Sequence, residues 1–396
     1  MGERTLVCFW RKCKMWRNAA SNVISLLVVF MLLAGSVGLT AKSVYISAGP
    51  LETAICIRIP SGSSFRKVSE ELEIKGALKS AWFFRVGVRY QEKDTKLKAG
   101  SFLIPAFATM QDISNIVTQG GANTCGSEII YGVGIVSTTI RIRELDPKTS
   151  KLEEKFVFKS SEKRPTTFRA FVNDKSTRHR IVIAEGVTSW RIVQALNEIG
   201  YLTGDISEIP KEGSLAPYSY EFGQKDSRLT ILKQMSVKQE SILQRAWQTK
   251  SANLPLKTPE EALILASIIE KETGLKSERR IVASVFINRL KKGMPLQTDP
   301  TVIYGITKGK EILGRGLRQS ELRKDTPWNT YLREGLPPTP IANPGKESII
   351  AALNPENTDF IFFVADGSGG HAFANNLSDH NKNVSKWRAI EKNRKD

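Results

Sequence analysis

Two carboxylates at the end of one helical pattern are the first groups that could do chemistry. The stretch Thr258–Gly274 reads TPEEALILASIIEKETG, with Glu270 and Glu272 near its end. At about 100° per residue they point to nearly opposite faces. With Leu263 at the origin, Ile264, Leu265, Ile268 and Ile269 fill an arc centred roughly 170° away by the same spacing. Glu272 falls in that arc, and Glu270 falls opposite, beside Leu263 and Ser267. Glu272 is therefore expected to face the core and Glu270 to face solvent. Burial disfavours the ionised form of a carboxyl and raises its pKa. An acid that protonates a glycosidic oxygen near neutral pH needs that property. The competing assignment is an ordinary ion pair of Glu272 with Lys276 or Arg279, since structural pairs also perturb pKa values.

Candidate partners lie downstream. The helical pattern Glu278–Leu290 places Asn288 beside Ile281 and Val285. Asn288 is either a substrate amide or a core amide whose hydrogen bonds are satisfied internally. Polar and aromatic loops follow, carrying Gln297, Asp299, Tyr304, Asn329, Tyr331 and His371. Amides and carboxylates suit sugar hydroxyls, and aromatic faces suit sugar rings. The candidate site is thus Glu272 as the catalytic group, with Asn288, Gln297, Asp299, Tyr304, Asn329, Tyr331 and His371 as substrate-binding groups. Three histidines in the whole chain argue against a zinc hydrolase. There is no nucleophile elbow and no P-loop. Neither a metal nor another cofactor is expected.

These residues must be held by a framework that the sequence also outlines. Thr258 and Glu261 have capping-box spacing, Pro259 suits the first helical position, and Gly274 is expected to end the helix. His179 begins a compact region: a strand over 180–183, helices over 189–200 and 229–249, then the two helices above. Phe360–Val364 reads as a buried strand, and a short basic helix near Trp387 closes the chain. Upstream, Ile55–Ile59 alternates as a strand. Helices are expected over 65–72, with Ser64 as N-cap, and over 110–117. Between them and His179, Ile140–Arg143 and Lys155–Lys159 alternate around Asp146-Pro147, a hairpin signal.

The 396 residues exceed one ordinary domain, and 41% apolar composition supplies real cores. Net charge is +18, which favours an anionic partner or surface. No charged residue occurs from Asn18 to Ala41, and five Lys or Arg residues precede that run. A membrane span needs about 20 mostly apolar residues. The run exceeds the ~7–15 residues of a signal-peptide core. A retained inner-membrane anchor over 22–42 is expected, with a cytoplasmic tail over 1–21 and the rest of the chain periplasmic. That topology removes nucleic acid from the partners. Of the four cysteines, Cys56 and Cys125 would then stand where a disulfide is allowed. Sequence does not bring their Cα atoms together.

The segments LASIIEKETG, VASVFINRL, LQTDPTVIYGI, NTYLREGLPP, IANPG and FFVADGSGGHAF, in this order, resemble the YceG-like family of endolytic murein transglycosylases. The resemblance is strong over 179–388 and weaker over 55–120. It implies cleavage of the β-1,4 bond between N-acetylmuramic acid and N-acetylglucosamine in nascent glycan strands, leaving 1,6-anhydro ends. It implies that Glu272, the second glutamate of the EKET motif, is the catalytic group. Glycan strands, the inner membrane and peptidoglycan synthases are the partners implied. The expected fold is α+β: a transmembrane helix, a LysM-like α/β module over 55–121, a β-rich insertion over 122–178, and a mainly helical mixed α/β catalytic domain over 179–394. The chain departs from the family at Pro217-Tyr218-Ser219-Tyr220, where the family carries an acid after the proline. The 122–178 segment is also longer than the family's connection. A lysozyme-like hydrolase with Asp299 as second carboxylate, and a non-catalytic peptidoglycan-binding scaffold, are the alternatives.

Overall fold

The computed structural model describes residues 30–31, 35–36, 39–60, 62–119, 125–149, 151–174, 177–223 and 226–395. The tail over 1–21 and most of the anchor over 22–42 lie outside these residues. Among the described residues no helix is long and apolar enough to cross a membrane. The chain has an α+β fold and divides into two compact units, one running to Ser127 with 144–153 added, the other made of 128–143 and 154–396.

In the first unit the order is β1 (Ile55–Ile59), α1 (Phe65–Ile74), α2 (Ala81–Tyr90), β2 (Gly100–Ile104) and α3 (Met110–Thr118). Strands β1 and β2 pair antiparallel, with Ile57 opposite Phe102. The core gathers Ile57, Leu72, Phe84, Ile104 and Ile113, all fully buried. Each helix starts on a hydroxyl cap: Ser64, Ser80 and Thr109 accept from Lys67 N, Phe83 N and Asp112 N. Cys56 of β1 is bonded to Cys125, with Cα atoms 5.8 Å apart.

The second unit is built on a five-stranded mixed sheet of order β5-β4-β3-β6-β7. Its strands are β3 (Ser127–Val133), β4 (Thr138–Asp146), β5 (Lys151–Lys159), β6 (Arg178–Ile183) and β7 (Ser219–Phe222). Strand β6 runs parallel to β3 and antiparallel to β7. The strands expected to form a separate insertion over 122–178 are therefore three of the five strands of one sheet with β6. The boundary placed after residue 178 does not interrupt that sheet. Helices α4 (Phe168–Asn173) and α5 (Ser189–Asn197) accompany it, and α5 packs Ile192 and Leu196 on Ile129 and Ile181.

The helical part comprises α6 (Arg228–Gln248), α7 (Pro259–Glu272), α8 (Arg279–Lys291), α9 (Asp299–Thr307), α10 (Gln319–Leu322) and α11 (Lys346–Leu353). Helix α6 joins two cores. Ile231 and Met235 pack with the sheet, while Ile242 and Leu243 pack with α7, α8 and α11. Two short strands, β8 (Phe362–Ala365) and β9 (His371–Ala374), pair antiparallel, and α12 (Leu377–Lys395) ends the chain. Two expectations need correction. The strand expected to be buried is partly exposed along its whole length: Phe363 packs on Phe286 and Phe362 on His380, but a two-stranded ribbon leaves both strands as edges. The closing helix is not short but 19 residues long.

The Cys56–Cys125 bond closes a loop of sequence separation 69 in the first unit. By restricting the unfolded chain, such a bond contributes about 2–4 kcal/mol. Replacing both cysteines by alanine should lower that unit's stability by this amount in urea denaturation. Reductant should then have no further effect on the variant.

Candidate active site

Helix α7 is buried almost all round, and that decides what its two acids can do. Every residue from Ala262 to Ile269 is buried, including Ser267 on the face expected to meet solvent. Thr258 Oγ1 accepts from Glu261 N, while the Glu261 carboxylate turns to Lys257 N instead of closing the box. The last helical residue is Glu272, and Thr273 is already extended.

Glu270 is not at the surface. Its side chain is 5% exposed and lies 3.3 Å from Arg279, itself 6% exposed. It also accepts from Gly345 N at 2.8 Å, and Arg279 reaches Glu185 at 3.2 Å. The expectation failed because α7 has packed neighbours on the Leu263–Ser267 face as well, so no face is left to solvent. Glu270 survives burial because a guanidinium and a backbone N–H compensate it.

Glu272 has no such cation. Neither Lys276 nor Arg279 pairs with it, and its Oε1 accepts from the Thr298 hydroxyl. Burial pushes its carboxyl above the ordinary value near 4.5. The Thr298 hydrogen bond and His371 oppose the shift, and the charge of Asp299 adds to it. The residue is desolvated yet partly exposed, because it opens into a cleft of about 240 Å³ shared with Gly274, Gly370, His371 and Trp387.

The surrounding groups are held from several elements. Asp299 opens α9 and accepts from the Tyr331 hydroxyl at 2.7 Å. His371 is fixed by Glu278, which accepts from its backbone N at 3.0 Å and meets Nδ1 at 2.7 Å. A Cβ on Gly370 would come within 2.5 Å of that Glu278 carboxylate, so a larger residue there would displace the group that holds His371. Buried Arg289 gathers the Ile361, Pro295 and Leu296 carbonyls and Gln297 Oε1, at 2.7–3.3 Å. It thereby ties the 295–298 loop to the segment leading into β8. Gln297 itself is left-handed, φ +51°.

Glu272, Asp299, Tyr331 and His371 therefore come together, while Gln297 is exposed and accepts from Arg289. Three of the named residues do other work. Asn288 gives both amide hydrogens to Thr358 O and Phe360 O at 2.7 and 2.9 Å. Asn329 is fully buried and donates to Leu322 O and Lys324 O. Tyr304 faces a different cleft and donates to Glu212 at 3.4 Å.

Sequence reading did not nominate Glu185, Glu212, Glu278, Arg279 or Asn343 for the site. Asn343 Oδ1 accepts from Leu215 N, and its Nδ2 donates to Val187 O, Ser189 Oγ and Glu212. The motif IANPG was a signal for Asn343. For Glu212 the signal was its place before Gly213, whose φ is +82°.

A desolvated carboxyl at the lip of a polar cleft, with no Lys or Arg paired to it among the described residues, defines an acid–base site. Comparison places it in a family. The sequence profile of the YceG-like family matches residues 57–386, and the chain belongs to that family. It is 29% identical over 343 residues to an endolytic murein transglycosylase of Bacillus subtilis, covering 85% of each chain. It is 27% identical over 391 residues to an endolytic murein transglycosylase of Streptococcus pneumoniae, covering 91% of this chain and 64% of the relative. A crystal structure of a YceG-like protein from Listeria monocytogenes is also similar. It is 26% identical, covers 84% of this chain and 99% of that one, and has a TM-score of 0.42.

Glu212 yields a test. Burial pushes its carboxyl from 4.5 up to about 7, against hydrogen bonds from Ser189 and Tyr304. The folded state then holds a proton that the unfolded state releases. Its stabilising effect is present below about pH 4.5 and is lost as pH rises through about 7. By linkage this is worth up to about 3 kcal/mol. Unfolding free energy between pH 5 and pH 8 should fall less steeply in Glu212→Gln than in the parent.

Proposed function

We propose that this chain is a peptidoglycan lytic transglycosylase. On this reading it cuts the β-1,4 bond between N-acetylmuramic acid and N-acetylglucosamine within glycan strands. The observation that carries the reading is Glu272, desolvated, without a Lys or Arg partner among the described residues, and open to a cleft. Family membership and the relatives' names support it.

Protonated Glu272 gives its hydrogen to the glycosidic oxygen, which leaves on the N-acetylglucosamine side. Positive charge develops at the muramyl anomeric carbon. The Glu272 carboxylate then takes the proton of the same sugar's C6 hydroxyl, whose oxygen bonds to that carbon. The products are a free hydroxyl end and a 1,6-anhydromuramyl end. No water enters, and Glu272 finishes as it began. Because the nucleophile belongs to the substrate, a second carboxylate is not needed, and its proximity supplies a high effective molarity. Asp299 beside Glu272 favours the protonated form at the start of the cycle. His371 and Tyr331 are placed to meet the sugars.

The chain is further proposed to sit in the inner membrane by its uncharged stretch before Lys42, with the chain after residue 42 periplasmic. The β1-α1-α2-β2 order in the first unit, with β1 and β2 antiparallel, suits the LysM-like module. Reporter fusions before residue 22 and after residue 42 test the topology.

Glu272→Gln keeps the shape and removes the transferable proton, so cleavage of purified sacculi should fall by at least about 10²–10⁴-fold. Mass spectrometry of the wild-type products should show anhydro ends, lighter by one water than reducing ends. Near-normal activity of the variant, or reducing ends throughout, would reject the mechanism. For the wild type, kcat/KM should decline as rising pH strips the proton from Glu272.

A further inference from the structure

A second cleft in the same unit begins one residue away from the first and has no part in the steps above. It encloses about 530 Å³. Lys271 lines it as Glu272 lines the other, and Pro300, Ile303 and Tyr304 enter it from the helix that Asp299 opens. Consecutive Cα atoms are about 3.8 Å apart. The two clefts therefore meet at the end of α7, and the helix that lines the second begins at Asp299, whose charge acts on Glu272.

The walls of this cleft are mostly aliphatic: Val187, Ile303, Ile312 and Leu313, with Ile135 and Val136 exposed on the turn between β3 and β4. Its charges are mostly positive, from Lys271, Arg191, Lys310 and Arg315, against Glu311. Arg315 is already engaged by Glu321 at 2.6 and 2.8 Å. Lys271 is different. The carboxylates that influence it, Glu270 and Glu212, are bonded elsewhere: Glu270 to Arg279 and Gly345, Glu212 to Ser189, Asn343 and Tyr304. Among the described residues its ammonium has no hydrogen-bond or ion-pair partner. A half-buried cation in aliphatic walls calls for an anion carried on small apolar groups. N-acetylglucosamine offers neither. A stripped muramyl sugar offers only the lactyl carboxylate held close to its ring, whereas a peptide on that lactyl group carries carboxylates and small apolar side chains farther out.

We propose that this cleft binds the short acidic peptide carried on the lactyl group of the muramyl sugar, with Lys271 taking one of its carboxylates. Strands that bear peptides are then cut in preference to bare glycan. The inference rests on the transglycosylase reading, since that reading supplies a muramyl residue at Glu272.

Two measurements on the full-length protein in detergent test it. The first compares kcat/KM on uncrosslinked peptide-bearing strands and on the same strands stripped by an amidase. The second is equilibrium dialysis of labelled N-acetylmuramyl pentapeptide, with and without its carboxylates amidated, and requires no cleavage. Peptide-bearing strands should be favoured about tenfold, the effect of about 1.4 kcal/mol. The pentapeptide should bind, and its amidated form should bind about tenfold more weakly. Lys271→Met should remove that difference. Because Lys271 adjoins Glu272, Val136→Asp at the exposed mouth serves as an independent probe. It should weaken pentapeptide binding and shrink the preference by repelling the acidic peptide. Equal cleavage of both strands with no pentapeptide binding would overturn the inference and leave the reaction standing. Binding untouched by both substitutions would also overturn it. Pentapeptide binding lost in both variants, with neither strand cut by the wild type, would uphold the cleft and tell against the reaction.

Discussion

The structure turns on two carboxyl groups buried at the end of one helix and treated oppositely. Glu270 is compensated by Arg279 and by Gly345 N, so its charge is retained inside the protein. Glu272, two residues on, receives one hydroxyl and faces the charge of Asp299. Desolvation outweighs the Thr298 hydrogen bond and His371 and favours its neutral form. A reversal of these surroundings would leave a charged, inert group at the cleft and an uncompensated one in the core. The same helix that carries the proposed acid therefore also needs the Glu185–Arg279–Glu270 cluster to remain folded.

The rest of the second unit serves to hold that difference in place. Helix α6 ties the sheet core to the helical core, so α7 is gripped on several sides. Helix α8 supplies Arg279 at its start and Arg289 near its end. The first compensates Glu270, and the second anchors the loop bearing Gln297 and Thr298. Asn288, between them, secures the approach to β8. Glu278, just before α8, holds His371 across the cleft. One helix thus positions residues from three loops around Glu272.

Local patterns carried much of this before the coordinates were considered. Hydroxyl caps at Ser64 and Thr258, the alternation of Ile55–Ile59 and the long apolar periodicities are governed by near neighbours, and these elements lie where the sequence places them. The helical wheel put Glu272 on an apolar face, where it is desolvated. It misplaced Glu270, because a wheel assumes one wet side and α7 has none. Asn288, Asn329 and Tyr304 look like substrate groups by type, yet Asn288 and Tyr304 are engaged by partners 70 to 92 residues away, and Asn329 is buried on backbone carbonyls of the preceding turn. Glu185, Glu212 and Asn343 escaped notice for the same reason: their partners lie 94, 131 and 156 residues away. Residue type and spacing report local periodicity, whereas such pairings are set by how the helices and loops pack.

The claim at the centre is that burial raises the Glu272 carboxyl above its ordinary value. Difference infrared titration of the protein against Glu272→Gln reads that group directly, through its protonated C=O stretch. The account requires a carboxyl band that persists above pH 4.5 and is missing from the variant. A band that disappears at or below pH 4.5 would contradict it.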